Sequence, residues 1–284
     1  MPAAAVIIDS GDGSGNTTAP PDDPGFANVG VKGSLSVVYL RNGWVLTANH
    51  VGVGDIWLDG SFYSAVPDSG TQLADGGGVL ADLLVYAVTP IPSLPDLEIR
   101  SNSNLPTGEV VLVGHGLNRG AATDTDAPGI WTEPPAKPSP PVEGWYWGTG
   151  AALRWGTNTV TAFWTAGNPP THSFYTTFDE PGDPDHTDHE CQTANLDSGG
   201  ALFSKKGPNW ELAGILWASG LYLGQNPNTS ALRGNASIAA DLSVYRDDIL
   251  TLTATPIPEP SVVLQLGAGA TLLAGMTRRR ARLR

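Results

Sequence analysis

Leu35-Ser36-Val37-Val38-Tyr39-Leu40 and Trp44-Val45-Leu46-Thr47-Ala48, joined by Arg41-Asn42-Gly43, decide the fold class. Both runs are short, apolar and rich in β-branched or aromatic residues. The Asn-Gly pair between them supplies the positive φ angles that a tight hairpin needs. Outward from this hairpin the pattern repeats. Val79 to Val88, Glu109 to Val113, Thr159 to Thr165, Ala201 to Ser204 and Trp210 to Trp217 read as further strands, set off by Gly, Pro, Asn and Asp. With no helical periodicity between them, they predict an all-β barrel or sandwich. One helix is expected, from Ala239 to Leu250, because Leu242, Tyr245 and Ile249 are spaced three and four apart.

The chain has 284 residues, enough for one large domain or two small ones. Its 35 glycines and 24 prolines disfavour long helices, and its nine tryptophans argue against disorder. Collagen, coiled coil and multi-span membrane protein are excluded. A single cysteine excludes an intramolecular disulfide. The formal net charge is -13, and five of the 15 basic residues (Arg278, Arg279, Arg280, Arg282 and Arg284) crowd the last seven positions. The remainder is strongly acidic and repels phosphate backbones and anionic lipid, so nucleic acid is not an expected partner.

Residues 1–27 are dominated by Pro, Gly and Asp and read as a flexible, non-globular lead. Only Ala3 to Ile8 are apolar, with no basic residue before them, which does not make a secretory signal; a start assigned too late is the favoured explanation. A proline-rich segment, 127–143, divides the β region into expected barrels at 28–126 and 144–250. Residues 251–284 form a separate tail. Pro258-Glu259-Pro260 is followed by an apolar span from Val262 to Met276 and the arginine cluster. That span is short of a full bilayer crossing, yet its basic flank reads as membrane targeting.

Three strings can carry chemistry: Val45-Leu46-Thr47-Ala48-Asn49-His50-Val51, Ala81-Asp82-Leu83-Leu84-Val85-Tyr86-Ala87-Val88, and Asp197-Ser198-Gly199-Gly200-Ala201-Leu202-Phe203. Alone, each has a structural explanation: a histidine after a strand, an aspartate at a strand start, a glycine turn. In the order His, Asp, Ser they supply a hydroxyl, a base to activate it and a carboxylate to orient the base. Asp183-Pro184-Asp185-His186-Thr187-Asp188-His189-Glu190-Cys191 could bind Zn2+ through His186, His189 and Cys191. Its spacing matches no standard zinc signature, so an exposed acidic loop is the preferred reading, and neither metal nor cofactor is expected.

The three strings resemble the trypsin/chymotrypsin-like serine endopeptidases, whose corresponding motifs are VLTAAHC, DLALL and GDSGGP. Val113-Gly114-His115-Gly116 looks like the GWG element closing that family's first barrel, and Gly214-Ile215-Leu216-Trp217 like the strand walling its specificity pocket. The resemblance covers about residues 29–250. It implies two six-stranded β-barrels with the site between them, a peptide or protein substrate, Ser198 as nucleophile, His50 as general base and acid, and Asp82 as orienting carboxylate. It also implies an oxyanion hole from the backbone N–H groups of Leu196 and Ser198. Gln192 would floor the primary pocket, with Leu216, Trp217, Ala218 and Ser219 along its wall, and its neutral amide disfavours Arg or Lys. The family has glycine where Leu196 stands, which motivates the alternative of an inactive protease-fold surface binding or matrix protein. Family members are often activated when a new N-terminal amine pairs with the aspartate before the serine, here Asp197; Phe26-Ala27-Asn28-Val29-Gly30 is the candidate start. The tail resembles the PEP-CTERM sorting signal of Gram-negative bacteria. That implies an exosortase-type partner, transient inner-membrane anchoring, and export to the envelope or extracellular matrix.

Overall fold

In the computed structural model, which describes residues 6–125, 142–222, 225–226 and 229–257, Asn42 and Gly43 take φ of 55° and 86° and close the predicted hairpin. A two-residue strand β1 (Ile7–Ile8) precedes the first barrel. That barrel comprises β2 (Val29–Lys32), β3 (Leu35–Arg41), β4 (Trp44–Thr47), β5 (Ile56–Leu58), β6 (Ser61–Ala65), β7 (Thr71–Ala74) and β8 (Leu80–Thr89). Six of these form a ring in the order β4-β3-β2-β5-β6-β8, closed by the β4–β8 pairing, with β7 added alongside β8.

The continuous apolar character of β3, β4 and β8 has a direct cause. Side chains alternate faces along a strand, and here both faces are buried. Val37, Tyr39, Val45 and Tyr86 share one core cluster. Val38, Leu40, Leu46 and Val85 share another, with Val111, Val113, Phe203 and Ile215 of the second half of the chain. The second cluster cements the barrels together.

The remaining strands are β9 (Glu109–Gly114), β10 (Leu117–Thr125), β11 (Val142–Ala151), β12 (Arg154–Ala166), β13 (Thr171–Thr177), β14 (Cys191–Gln192), β15 (Ala201–Lys206), β16 (Asn209–Gly220), β17 (Ser230–Leu232) and β18 (Ala236–Asp241). The second barrel closes in the order β12-β13-β18-β16-β15-β9. Because β9 pairs with both β12 and β15, the division between barrels precedes residue 109 rather than falling at the proline-rich 127–143. The flanks of that segment form an antiparallel hairpin, β10–β11, which joins β17 in a separate three-stranded sheet. Residues 126–141 lie outside the described residues. The strands that flank it therefore belong to the second half of the chain.

The lead is also corrected. From residue 6 onward it docks. Val6, Ile7 and Ile8 are buried, β1 pairs with β14, and Arg119 donates to the carbonyls of Ile8 and Asp9, both at 2.8 Å. The acidic loop holds the same segment. His186 Nε2 meets Asp9 Oδ2 at 2.8 Å, Arg233 meets that oxygen at 3.1 Å, and His189 Nδ1 meets the Ser10 hydroxyl at 2.9 Å. Among the described residues no group of three His, Cys, Asp or Glu is disposed to hold a metal, and Cys191 is a buried free thiol. Burial of three consecutive large aliphatics contributes to holding this polar stretch in place.

Helix α1 (Leu242–Thr253) starts later than expected because Ala239, Ala240 and Asp241 complete β18. Asp241 caps it by accepting the Ser243 N–H at 3.0 Å. The body runs past residue 251: the Asn42 amide donates to the Thr253 carbonyl at 2.9 Å, Trp44 Nε1 to the Thr255 carbonyl at 3.0 Å, and Ile257 packs on Gly43. The apolar span and arginine cluster of the tail lie outside the described residues. Among those described, no helix is long and apolar enough to cross a membrane.

Burial raises the Glu190 carboxyl to about 8, although it accepts from the Thr187 N–H at 3.0 Å and the Asn158 amide at 2.7 Å. An acid whose folded pKa exceeds its unfolded one stabilises the fold below the unfolded value, and that contribution is lost as pH rises toward the folded value. Melting temperature should therefore fall as pH rises from about 5 to 8, and Glu190→Gln should flatten the slope; an unchanged slope in thermal melts would contradict this.

Candidate active site

His50 lies in a 3-10 turn, Asn49–Val51, directly after β4. Asp82 is near the start of β8, which pairs with β4. The pairing brings the two side by side: His50 Nδ1 meets Asp82 Oδ2 at 2.6 Å, and the His50 backbone N–H donates to Asp82 Oδ1 at 2.9 Å. Two contacts to one carboxylate fix the imidazole's orientation and leave Nε2 as its second face. The Asp82 N–H in turn donates to the Thr171 hydroxyl at 2.8 Å, a contact from β13 of the second barrel. His50 is 44% exposed, whereas Asp82 is 14% exposed.

Ser198 comes from the second half of the chain, on the turn before β15, and the barrel interface sets its place. Ser198 O accepts from the Ser36 N–H at 2.9 Å. Gly199 presses against the Ser36 carbonyl and Thr47 hydroxyl, where a Cβ would collide with both. Glycine is required there because φ is 86° and no room is left for a side chain. The interface thus sets the Ser198 turn against β3 and β4, the strand from which the His50 turn leaves. Among the described residues the Ser198 hydroxyl makes no hydrogen bond, to His50 or otherwise. Such contacts are often long without substrate and tighten in the complex.

Leu196 adopts φ of 81°, a left-handed conformation normally left to glycine. Its N–H donates to the Asn195 side-chain oxygen at 3.1 Å, so an amide oxygen sits on the expected oxyanion donor. The Ser198 N–H has no partner among the described residues. The turn is anchored by Asp197, 1% exposed, whose Oδ2 accepts from the Ala194 N–H at 2.7 Å. The backbone N–H groups of Gly116 and Val6 also face this carboxylate, and burial lifts it to about 7. Gly114 and Gly116 leave the space Asp197 fills. The Val113-Gly114-His115-Gly116 element therefore ends β9 of the second barrel and houses this aspartate; it does not close the first barrel.

A cavity of about 240 Å3 opens beside Ser198, and Thr193, Leu196, Leu216, Trp217, Ala218 and Ser219 contribute to its lining. The wall residues fall as expected. Gln192 does not line it. Its strand β14 pairs with β1, and its amide is buried, donating to the Ala236 carbonyl at 2.9 Å. Phe26–Asn28 forms a 3-10 turn leading into β2, so the segment reaching Asp197 starts at Val6 instead. The apolar trio Val6-Ile7-Ile8 was the signal for this. Trp147 on β11 also lines the cavity, and nothing in its local sequence marked it.

No protein-family model and no curated protein matches the chain. Solved structures do. Rv3671c from M. tuberculosis H37Rv, as an inactive serine-to-alanine mutant, is 12% identical with a TM-score of 0.46, over 82% of this chain and 89% of that one. Rv3671c protease in its inactive form is 11% identical, with a TM-score of 0.44 over 77% and 83%. The active form from M. tuberculosis is 13% identical, with a TM-score of 0.44 over 79% and 75%.

A left-handed non-glycine residue costs about 1 kcal/mol. Leu196→Gly should therefore raise stability by up to about 1 kcal/mol in denaturant titration; a loss would mean that the leucine side chain outweighs its backbone strain.

Proposed function

We propose that the protein is a serine endopeptidase acting through Ser198, His50 and Asp82. The observation that carries this reading is the doubly bonded His50–Asp82 pair, three residues beyond the Thr47 hydroxyl against which Gly199, next to Ser198, packs. In the proposed reaction the Ser198 hydroxyl attacks the peptide carbonyl and passes its proton to His50 Nε2. Asp82 stabilises the imidazolium so formed. Negative charge on the former carbonyl oxygen is received by the N–H groups of Ser198 and Leu196, the Asn195 side-chain oxygen giving way. One such donor is worth about 3 kcal/mol. His50 then protonates the leaving amine, and water hydrolyses the acyl-enzyme by the reverse roles.

The positive φ of Leu196 supports this reading over an inactive surface or matrix module, because the turn adopts the conformation for which the resembled family uses glycine. Under the same proposal the tail serves export: processing by an exosortase-type enzyme would follow transient inner-membrane anchoring and release the body to the envelope or extracellular matrix. Mass spectrometry of the secreted protein, finding residues 262–284 still attached, would count against that part.

A fluorophosphonate should label native protein on Ser198 and on no other serine. Peptide hydrolysis should fall about a thousandfold or more in Ser198→Ala and in His50→Ala. Absence of adduct on folded protein would favour the non-catalytic module.

A further inference from the structure

Asp82 is gripped at its carboxylate and at its backbone, and the two grips come from different barrels. Both carboxylate oxygens face His50, Oδ1 at the backbone N–H and Oδ2 at Nδ1, and among the described residues no other group hydrogen-bonds them. The position of the aspartate is then set through its main chain. Neighbouring strands do not supply that hold. The β4–β8 pairing ends at Thr47 and Leu84, and the β7–β8 register shifts between Gln72, opposite Leu84, and Ala74, opposite Leu80. Irregularities of this kind re-aim side chains beside functional sites. Side chains take over the backbone here: the Gln72 amide donates to the Ala81 carbonyl at 2.8 Å, and the Thr171 hydroxyl accepts the Asp82 N–H at 2.8 Å.

Thr171 is fully buried and opens β13, so its contact with Asp82 crosses the barrel interface. Next along the strand, His172 points to the opposite face and is tied to the first barrel as well. Its Nε2 meets Asp75 Oδ2 at 3.3 Å, in the turn between β7 and β8. The other oxygen of Asp75 is already fixed, accepting from the Gly77 and Val79 N–H groups at 2.9 Å each. The His172 N–H donates to the hydroxyl of the buried Tyr245, on α1, at 3.0 Å. Two consecutive residues of β13 thus hold β8 and the turn before it, while the helix holds the second of them.

Resting on the peptidase reading, we infer that Thr171 is a positioning residue for the His50–Asp82 pair, and that the His172–Asp75 bridge is the latch that keeps Thr171 in place. The second barrel sets where the carboxylate sits, and the carboxylate sets the imidazole. Both residues act through Asp82. A displacement of about 1 Å in such a group is enough to cost on the order of 100-fold in rate.

Thr171→Val keeps the shape of threonine and deletes the hydroxyl, leaving the buried Asp82 N–H without its acceptor. Peptide hydrolysis by the full chain should lose about 10- to 100-fold in kcat with KM nearly unchanged. Thr171→Ser retains the hydroxyl and should restore most of that loss. A second readout needs no turnover. Proton NMR of the native chain should show a low-field resonance from the His50 Nδ1 proton shared with Asp82; it should move upfield in Thr171→Val and stay in Thr171→Ser. His172→Ala alters an exposed side chain, carries the test if Thr171→Val does not fold, and should move both readouts in the same direction by less. Native kcat and an unmoved resonance in Thr171→Val would overturn the inference, as would equal losses in Thr171→Val and Thr171→Ser. An unaffected His172→Ala would overturn the latch. If Ser198 takes no fluorophosphonate and no peptide is cleaved, the peptidase reading falls, and the resonance alone still decides whether Thr171 positions the pair.

Discussion

One buried carboxylate organises the site. Asp197 is enclosed where the end of β9, the turn before β15 and the segment beginning at Val6 converge; its Oδ2 accepts from the Ala194 N–H, while its Oδ1 has no hydrogen-bond partner. A carboxylate in such a place is costly unless hydrogen-bond donors surround it. That cost makes the three segments mutually dependent: without the Val6 segment or the space at Gly116, the turn carrying Leu196 and Ser198 loses its anchor. The strained φ of Leu196 persists because the surroundings over-determine it.

The same economy governs the barrel interface. Strands β3, β4 and β8 supply one face to their own barrel and the other to the partner barrel, so their apolar runs are continuous. The Ser198 turn is held against the strand that leads to His50 by this shared core and the Gly199 contact on Thr47, not through any sequence-local feature. A larger residue at 199 would meet the Ser36 carbonyl and the Thr47 hydroxyl and push the barrels apart.

Much of this was legible beforehand. The hairpin at Asn42-Gly43, the long strands, and the buried triad Leu242, Tyr245 and Ile249 of the helix follow from local periodicity and turn chemistry. His50, Asp82 and the cavity wall from Leu216 to Ser219 were legible through motif order. What escaped has a common physical cause. Val6-Ile7-Ile8 is too short to show a period, and its partner β14 is nearly two hundred residues away. The proline-rich 127–143 suggested the boundary between barrels, but the pairing of β9 with β12 and β15 sets that boundary before residue 109. The resemblance implies Gln192 as the pocket floor, but its strand pairs with β1 and commits the side chain elsewhere. Trp147 belongs to an insertion, where counting along a motif has no purchase.

The placement of the two outer segments has a mechanical meaning. Residues 6–18 precede the first barrel yet lie on the second, through β14, Arg119 and Arg154. Residues 253–257 follow the second barrel yet lie on the first, at the Asn42–Trp44 hairpin. Each lobe is thus clasped by an arm that leaves from the other. With no disulfide to rivet them, the halves are cross-braced, and prying them apart would require both arms to let go.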